Sequence, residues 1–240
     1  MTENEIIYGR NPVLEVALGK REVFTIWLTK ETNKTIGQEL RRAGYKPRIV
    51  SKGEIGQITG RRDNQGAAAE VAPFEYAKIE ALRKIPEGII IACDGITDQR
   101  NLGAVIRSAV LLGARGIILP ERGSAEVNSV VTHTSAGATE HIAIAKTENL
   151  AHELGILKQM EFAVAGAVMP DDITVDIREY SAPVKLCLVI GDEGEGISGK
   201  VLSKCDVRLS IPQTPRFDSF NVSVAASIIL YEFQREKLQI

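Results

Sequence analysis

Apolar residues recur along this chain in short runs separated by helix-patterned polar stretches, and the alternation runs twice. In the first round, VFTIWLT (23–29) and KPRIV (46–50) read as strands. TIGQELRRAG (35–44) has helical spacing with a glycine stop, SKGEIGQIT (51–59) reads as a short helix, and GAAAEVAPF (66–74) as a strand ended by proline. The polar, Pro/Gly-terminated segment EYAKIEALRKIPEG (75–88) is the expected linker. The second round supplies the strand candidates IIIACD (89–94), GIILP (116–120), HIAIA (141–145), FAVAGAV (162–168), KLCLVIG (185–191) and VRLSIP (207–212). Helical stretches lie between them at 101–113, 128–137 and 148–160. Apolar strands alternating with helices predict an α/β domain whose mainly parallel sheet is covered on both faces. The expected organisation is a small α/β domain over 1–75, a linker over 76–88 and the larger domain over 89–240.

The last helix, NVSVAASIILYEFQRE (221–236), carries Val222, Ala225, Ala226, Ile229, Leu230 and Phe233 on one stripe and Val224 and Ile228 off it. So wide an apolar face predicts burial on two sides, the second against another subunit.

Composition narrows the class. The chain has 240 residues, 44% hydrophobic and 25% charged, which are globular values. No apolar run reaches the roughly 18 residues of a membrane span, and MTENEIIYGR lacks a signal-peptide pattern, so the expected location is the cytoplasm. Cys93 and Cys187 sit inside apolar runs as core residues, and Cys205 stands apart. His133, His141 and His152 form no metal-ligand spacing, so no metal is expected. The net charge is −2, with +2 over residues 1–76 and −4 over the rest. A nucleic-acid partner would be held by local patches and shape rather than by overall charge.

Three polar clusters follow predicted strands, where open α/β sheets place their ligands. In DGITDQRNLGAVIRSA (94–109), Asp98 or Asn101 can cap a helix whose buried stripe is Leu102, Val105, Ile106 and Ala109. Arg100 and Arg107, seven apart, share the polar face. A capped helix with two solvated arginines is the competing reading. In LVIGDEGEGIS (188–198), Gly194, Gly196 and Gly199 fit the spacing of a dinucleotide fingerprint, but Asp192, Glu193 and Glu195 oppose a pyrophosphate. A glycine-rich loop lets backbone approach a ligand, and its carboxylates favour a cationic one such as a sulfonium. In LSIPQTPRFDSFNVSVAAS (209–227), a polar loop leads to a helix capped by Asn221 or Ser219. A plain strand–loop–helix junction is the alternative there.

Together and in this order, NLGAVIRSA, IGDEGEG and SIP…SFNVSVA resemble the three signature motifs of the SpoU branch of the SPOUT methyltransferases, over residues 89–240. IIYGRNPVLEVAL (6–18) and NQGAAAEVAPF (64–74) resemble the small substrate-binding domain of the RlmB-type subgroup, a domain that is itself similar to a ribosomal RNA-binding protein. The resemblance implies an α/β-knot fold with a C-terminal trefoil knot, S-adenosyl-L-methionine as cofactor and a homodimer with each active site near the interface. It also implies methylation of a guanosine 2′-hydroxyl in 23S ribosomal RNA. By motif, Gly191, Ile211 and Phe220 would contact the cofactor. Asn101, Arg107, Glu193, Ser219 and Asn221 would line the reaction site, with Arg107 proposed in the family as the base. Candidate RNA contacts are Arg10, Arg41, Arg42, Arg61 and Arg62. The chain departs from the family pattern at Asn64, where histidine is usual, at Gln213-Thr214-Pro215-Arg216 and at Phe220 in place of leucine. A transfer RNA 2′-O-methyltransferase of the same fold and a non-catalytic RNA-binding relative are the alternative readings.

Overall fold

The restart in the hydrophobic pattern corresponds to a division of the structure. The computed structural model describes residues 4–214 and 219–235. They form two units: residues up to 75 together with 126–141, and residues 76–125 together with those from 142 on.

In the first unit, β1 (Glu5–Tyr8), α1 (Arg10–Leu18), β2 (Val23–Leu28), α2 (Lys30–Thr35), α3 (Gly37–Arg42), β3 (Arg48–Ile49), α4 (Lys52–Thr59) and β4 (Ala67–Val71) follow one another. The sheet order is β1-β4-β2-β3, with β4 antiparallel to both neighbours and β3 parallel to β2. Ala67, Ala68 and Ala69 are fully buried in central β4, where small side chains leave room for Ile7, Val13, Val16, Leu28 and Leu40. The helix expected over 35–44 is α3, and a second short helix that the pattern did not mark, α2, precedes it; the chain turns between them at Ile36. Gly37 lies so close to the Asn33 side chain that a Cβ would stand 2.0 Å from its Oδ1. Helix α4 starts on a full capping box: Ser51 Oγ accepts from Glu54 N–H and Glu54 accepts from Ser51 N–H.

Residues 126–141 add helix α7 (Ser129–Thr134), capped by Asn128, and a 3₁₀ turn at Ala138–Glu140. Glu140 anchors them to the early chain. Arg21 bonds it at 2.6 Å, with both side chains almost wholly buried, and also bonds Glu5 at 2.9 Å. Burial is the main reason the Glu5 carboxyl is held above its ordinary range, against the opposing pull of Arg21.

The second unit runs through α5 (Ile79–Arg83), β5 (Gly88–Asp94), α6 (Gln99–Leu111), β6 (Gly116–Pro120), β7 (Ala143–Thr147), α8 (Leu150–Gln159), β8 (Ala163–Ala167), β9 (Val175–Asp176), β10 (Lys185–Gly191), α9 (Gly199–Leu202), β11 (Val207–Ser210) and α10 (Val222–Gln234). Its seven strands lie in the order β7-β6-β5-β10-β8-β11-β9, all parallel. The expected mainly parallel sheet is therefore present. The segment expected as a linker behaves differently. Leu82 of α5 is fully buried in the core of this unit with Ala77, Ile79 and Ile85 packed beside it, and Arg83 bonds Glu153 of α8 through two contacts of 2.8 and 2.6 Å. The flanking charges hid an apolar stripe of period three.

Candidate active site

Strand β5 delivers the chain to α6, and Asp98 caps that helix by accepting from Arg100 N–H at 2.7 Å and Asn101 N–H at 2.9 Å. The cap fixes the rotation of α6. Leu102, Val105, Ile106 and Ala109 are buried, as their spacing predicts, and Arg100 and Arg107 are exposed. Asn101 stands half-buried in the first turn.

Strand β10 ends at Gly191, which is buried. A Cβ there would sit 2.1 Å from the Gly196 carbonyl carbon and 2.3 Å from Ile197 N, so only glycine lets the following loop fold back. The loop closes on itself: Asp192 N–H donates to Gly196 O at 3.1 Å, Gly196 N–H returns to Asp192 O at 3.0 Å, and Asp192 Oδ2 accepts from Gly194 N–H. Asp94, at the end of adjacent β5, accepts from Ser198 N–H at 2.7 Å and ties the far end of the loop down.

Asn221 caps α10 by accepting from Ser223 N–H at 3.0 Å. Its Nδ2 donates to Asn101 Oδ1 at 3.1 Å and to Glu193. Asn101, Glu193 and Asn221, taken from three separate motifs, thus form one hydrogen-bonded set. Beside it lies a cavity of about 710 Å³ whose lining includes Gly191, Glu193, Ile211, Ser219 and Phe220. Apolar walls come from Ile190, Ile197, Leu202, Ile211 and Ile229, and Asp192, Glu193 and Glu195 add carboxylates. A pocket of this size and mixture suits a ligand with a flat apolar part and a positive charge.

Seven of the eight residues singled out by motif are therefore at the cavity or in the set beside it. Arg107 is not: it lies on the exposed face of α6, with no salt-bridge partner among the described residues. The wall made by Ala167, the last residue of β8, and by Val168, Met169 and Pro170 after it was missed. The signal was there, since this is also the carboxyl end of a parallel strand, but the segment has no polar group to mark it. Of the two departures in the third motif, Phe220 lines the cavity, while Pro215 and Arg216 lie outside the described residues. In the first unit, Arg10, Arg61 and Arg62 line a second cavity together with Asn64, Gln65 and Gly66, whereas Arg41 bonds Asn33 and Arg42 stands exposed on α3.

The profile of the SpoU rRNA methylase family matches residues 88–231, and that of an RNA 2′-O ribose methyltransferase substrate-binding domain matches residues 6–77. A Staphylococcus haemolyticus protein, assigned by name to the TrmH family of tRNA/rRNA methyltransferases, is 34% identical over 99% of this chain and 98% of its own length. Two solved structures share the fold. The AdoMet-bound rRNA methyltransferase of Sinorhizobium meliloti has a TM-score of 0.79 at 23% identity, covering 99% of this chain and 89% of that one. The SpoU methyltransferase AviRb of Streptomyces viridochromogenes, in complex with AdoMet, has a TM-score of 0.80 at 21% identity, covering 99% and 92%.

Proposed function

We propose, from the premise that the chain belongs to the SpoU rRNA methylase family, that it methylates a ribose 2′-hydroxyl of RNA with S-adenosyl-L-methionine, on a guanosine of 23S ribosomal RNA. The observation that carries this reading is the set Asn101–Asn221–Glu193 beside the cavity closed by Gly191. The lining fits the cofactor: apolar side chains for the purine, carboxylates for the sulfonium and ammonium charges, and a glycine whose missing Cβ lets the loop close. S-adenosyl-L-methionine supplies an electrophilic methyl group, and the protein supplies alignment and a more reactive oxygen.

A ribose hydroxyl ionises far above neutral pH, so its proton must leave as the new bond forms, and positioning an acceptor is worth typically ~10²–10⁴-fold. Guanidinium groups as a class stay protonated in proteins and make poor bases, so Arg107 is given another role here. It binds the phosphate beside the target ribose and stabilises the developing alkoxide, while a phosphate oxygen or water takes the proton. Asn101, Glu193, Asn221 and Ser219 orient the ribose, and Gly191, Ile211 and Phe220 hold the cofactor.

The first unit supplies RNA recognition through Arg10, Arg61 and Arg62. Val224 and Tyr231 of α10, 45% and 59% exposed, form an apolar face that a second copy covers in the homodimer. The strand order β10-β8-β11, with the two last strands of the chain on either side of an earlier one, supports the family's C-terminal knot as part of this reading. The test is incubation of the purified protein with labelled S-adenosyl-L-methionine and ribosomal or transfer RNA, followed by mapping of 2′-O-methyl groups. Label at a 23S guanosine is expected. Label in transfer RNA alone would move the target, and no label together with no calorimetric cofactor binding would leave only an RNA-binding protein.

A further inference from the structure

The second cavity, about 630 Å³, belongs wholly to the first unit and falls inside the ~300–1,000 Å³ range of small-molecule sites. Arg10, Lys52, Arg61 and Arg62 line it, all exposed, against one carboxylate, Glu31. Its floor is unusual. Gln65 has φ +52 and Gly66 φ +72, two successive left-handed residues, the first of them not glycine. Such a conformation persists only where the surroundings enforce it. Here they do so fully: Gln65 O accepts from Thr32 Oγ1 at 3.0 Å, Gly66 O accepts from Thr29 N–H at 2.9 Å, and Gly66 N–H donates to Asn64 Oδ1 at 3.0 Å. Thr29 and Thr32 are both buried. A Cβ on Gly66 would stand 2.6 and 2.7 Å from those two hydroxyl oxygens. The turn also fixes the Gln65 side chain, whose Oε1 accepts from Arg10 N–H at 3.0 Å. With that oxygen committed, the amide offers its NH₂ end to a ligand.

The lining therefore combines cations, one fixed amide donor and one carboxylate acceptor. A hydrogen bond from its own backbone N–H keeps the Glu31 carboxyl below the usual range, so it remains an acceptor at neutral pH. A bare phosphate would use the cations and be repelled by Glu31. A nucleotide uses all of them.

We infer that this cavity holds one unstacked nucleotide of the RNA substrate, its phosphate against Arg10, Lys52, Arg61 and Arg62 and its base edge read by Glu31 and Gln65. A carboxylate accepts from an imino N–H, and an amide NH₂ donates to a carbonyl oxygen. Guanine and uracil place those groups side by side on one edge, whereas adenine and cytosine carry a lone pair where the N–H would be. The aliphatic stems and planar guanidinium groups of the arginines supply the surface on which the base rests. The inference rests on the reading of the chain as an RNA methyltransferase and adds a second, base-selective contact in the first unit.

The test uses the full-length, ¹⁵N-labelled protein titrated with each of the four nucleoside 5′-monophosphates and with inorganic phosphate. GMP and UMP should shift the Gln65 side-chain NH₂ and the Gly66 amide and bind roughly tenfold more tightly than AMP or CMP. Glu31→Gln should erase the preference while retaining the phosphate-dependent shifts, and should raise KM for RNA with kcat unchanged. No shift at these groups, or equal shifts with inorganic phosphate, would overturn the inference. Because the titration needs no variant, a substitution that fails to fold leaves it decisive. RNA methylation by the unsubstituted protein separates the two readings: methylation without nucleotide shifts removes only this site, and no methylation of any RNA removes the proposed function itself.

Discussion

Asn221 Nδ2 donates to Asn101 Oδ1 at 3.1 Å, joining the start of α10 to the first turn of α6 across 120 positions of sequence. The amide orientation is fixed by its neighbours. Its oxygen accepts from Ser223 N–H and Ser223 Oγ, so the nitrogen must face Asn101 and Glu193. One side chain thus caps a helix with one end and assembles the candidate reaction site with the other.

Asn221→Asp separates those two jobs. Aspartate is as good an N-cap, so thermal stability should change by less than about 1 kcal/mol. It puts a second carboxylate beside Glu193 and removes the donor to Asn101, and kcat should fall by roughly 10²-fold. Methylation kinetics with a parallel thermal melt check this. Unchanged turnover would show that the set does not orient the reacting groups.

Gly191→Ala places a methyl group about 2 Å from the backbone of Gly196 and Ile197, which cannot yield as a side-chain end can. The loop must open, at a cost of about 2–3 kcal/mol, and calorimetric binding of S-adenosyl-L-methionine should disappear.

Arg107→Ala should abolish turnover while leaving cofactor affinity unchanged, since Arg107 does not line the cavity. Arg107→Lys keeps the charge but not the forked donor, and should recover only part of the rate. Near-normal kcat in the alanine variant would remove Arg107 from the reaction.

Glu153→Gln leaves Arg83, which is 21% exposed, with only the longer, 3.6 Å contact to exposed Glu80. The loss should be about 2–3 kcal/mol, seen as a Tm lower by about 5–10 °C. A change within error would mean that α5 is held by the apolar packing of Ile79, Leu82 and Ile85.

Burial pushes the Cys93 thiol up to about 12 and the half-buried Cys205 up to about 11, and raises Cys187 as well. The thiolate is the reactive form, so all three should resist iodoacetamide at pH 8. Cys205 should react first as pH rises, and all three should react promptly in denaturant. Peptide mass spectrometry reads the order.

Much of the larger unit was legible because its strands are buried on both faces and read as uninterrupted apolar runs. GIILP and KLCLVIG coincide with β6 and β10 residue for residue. Other elements carry weaker signals. β9 is two residues long and half-buried, and α9 has four residues, too short for a periodicity to register. In the first unit the helical pattern of 35–44 corresponds to α3, whereas α2, with the sequence KETNKT, is polar throughout and left no apolar periodicity to read. At the candidate site, motif residues were legible singly. That Asn221 reaches both Asn101 and Glu193 depends on where three strand ends meet, which no local pattern encodes.

The assignment of residues 126–141 to the first unit has a consequence for the order of events during synthesis. Domains generally fold as units while the chain is synthesised at about 5–20 residues per second. This one cannot finish when residue 75 emerges, because Glu140, the partner that buries Arg21, is still to be made. Roughly fifty residues of the other unit, including β5 and α6, are translated first. A chain cut after residue 75 would therefore lose a buried ion pair along with α7. The complementary fragment would retain 126–141 without the partners it packs on.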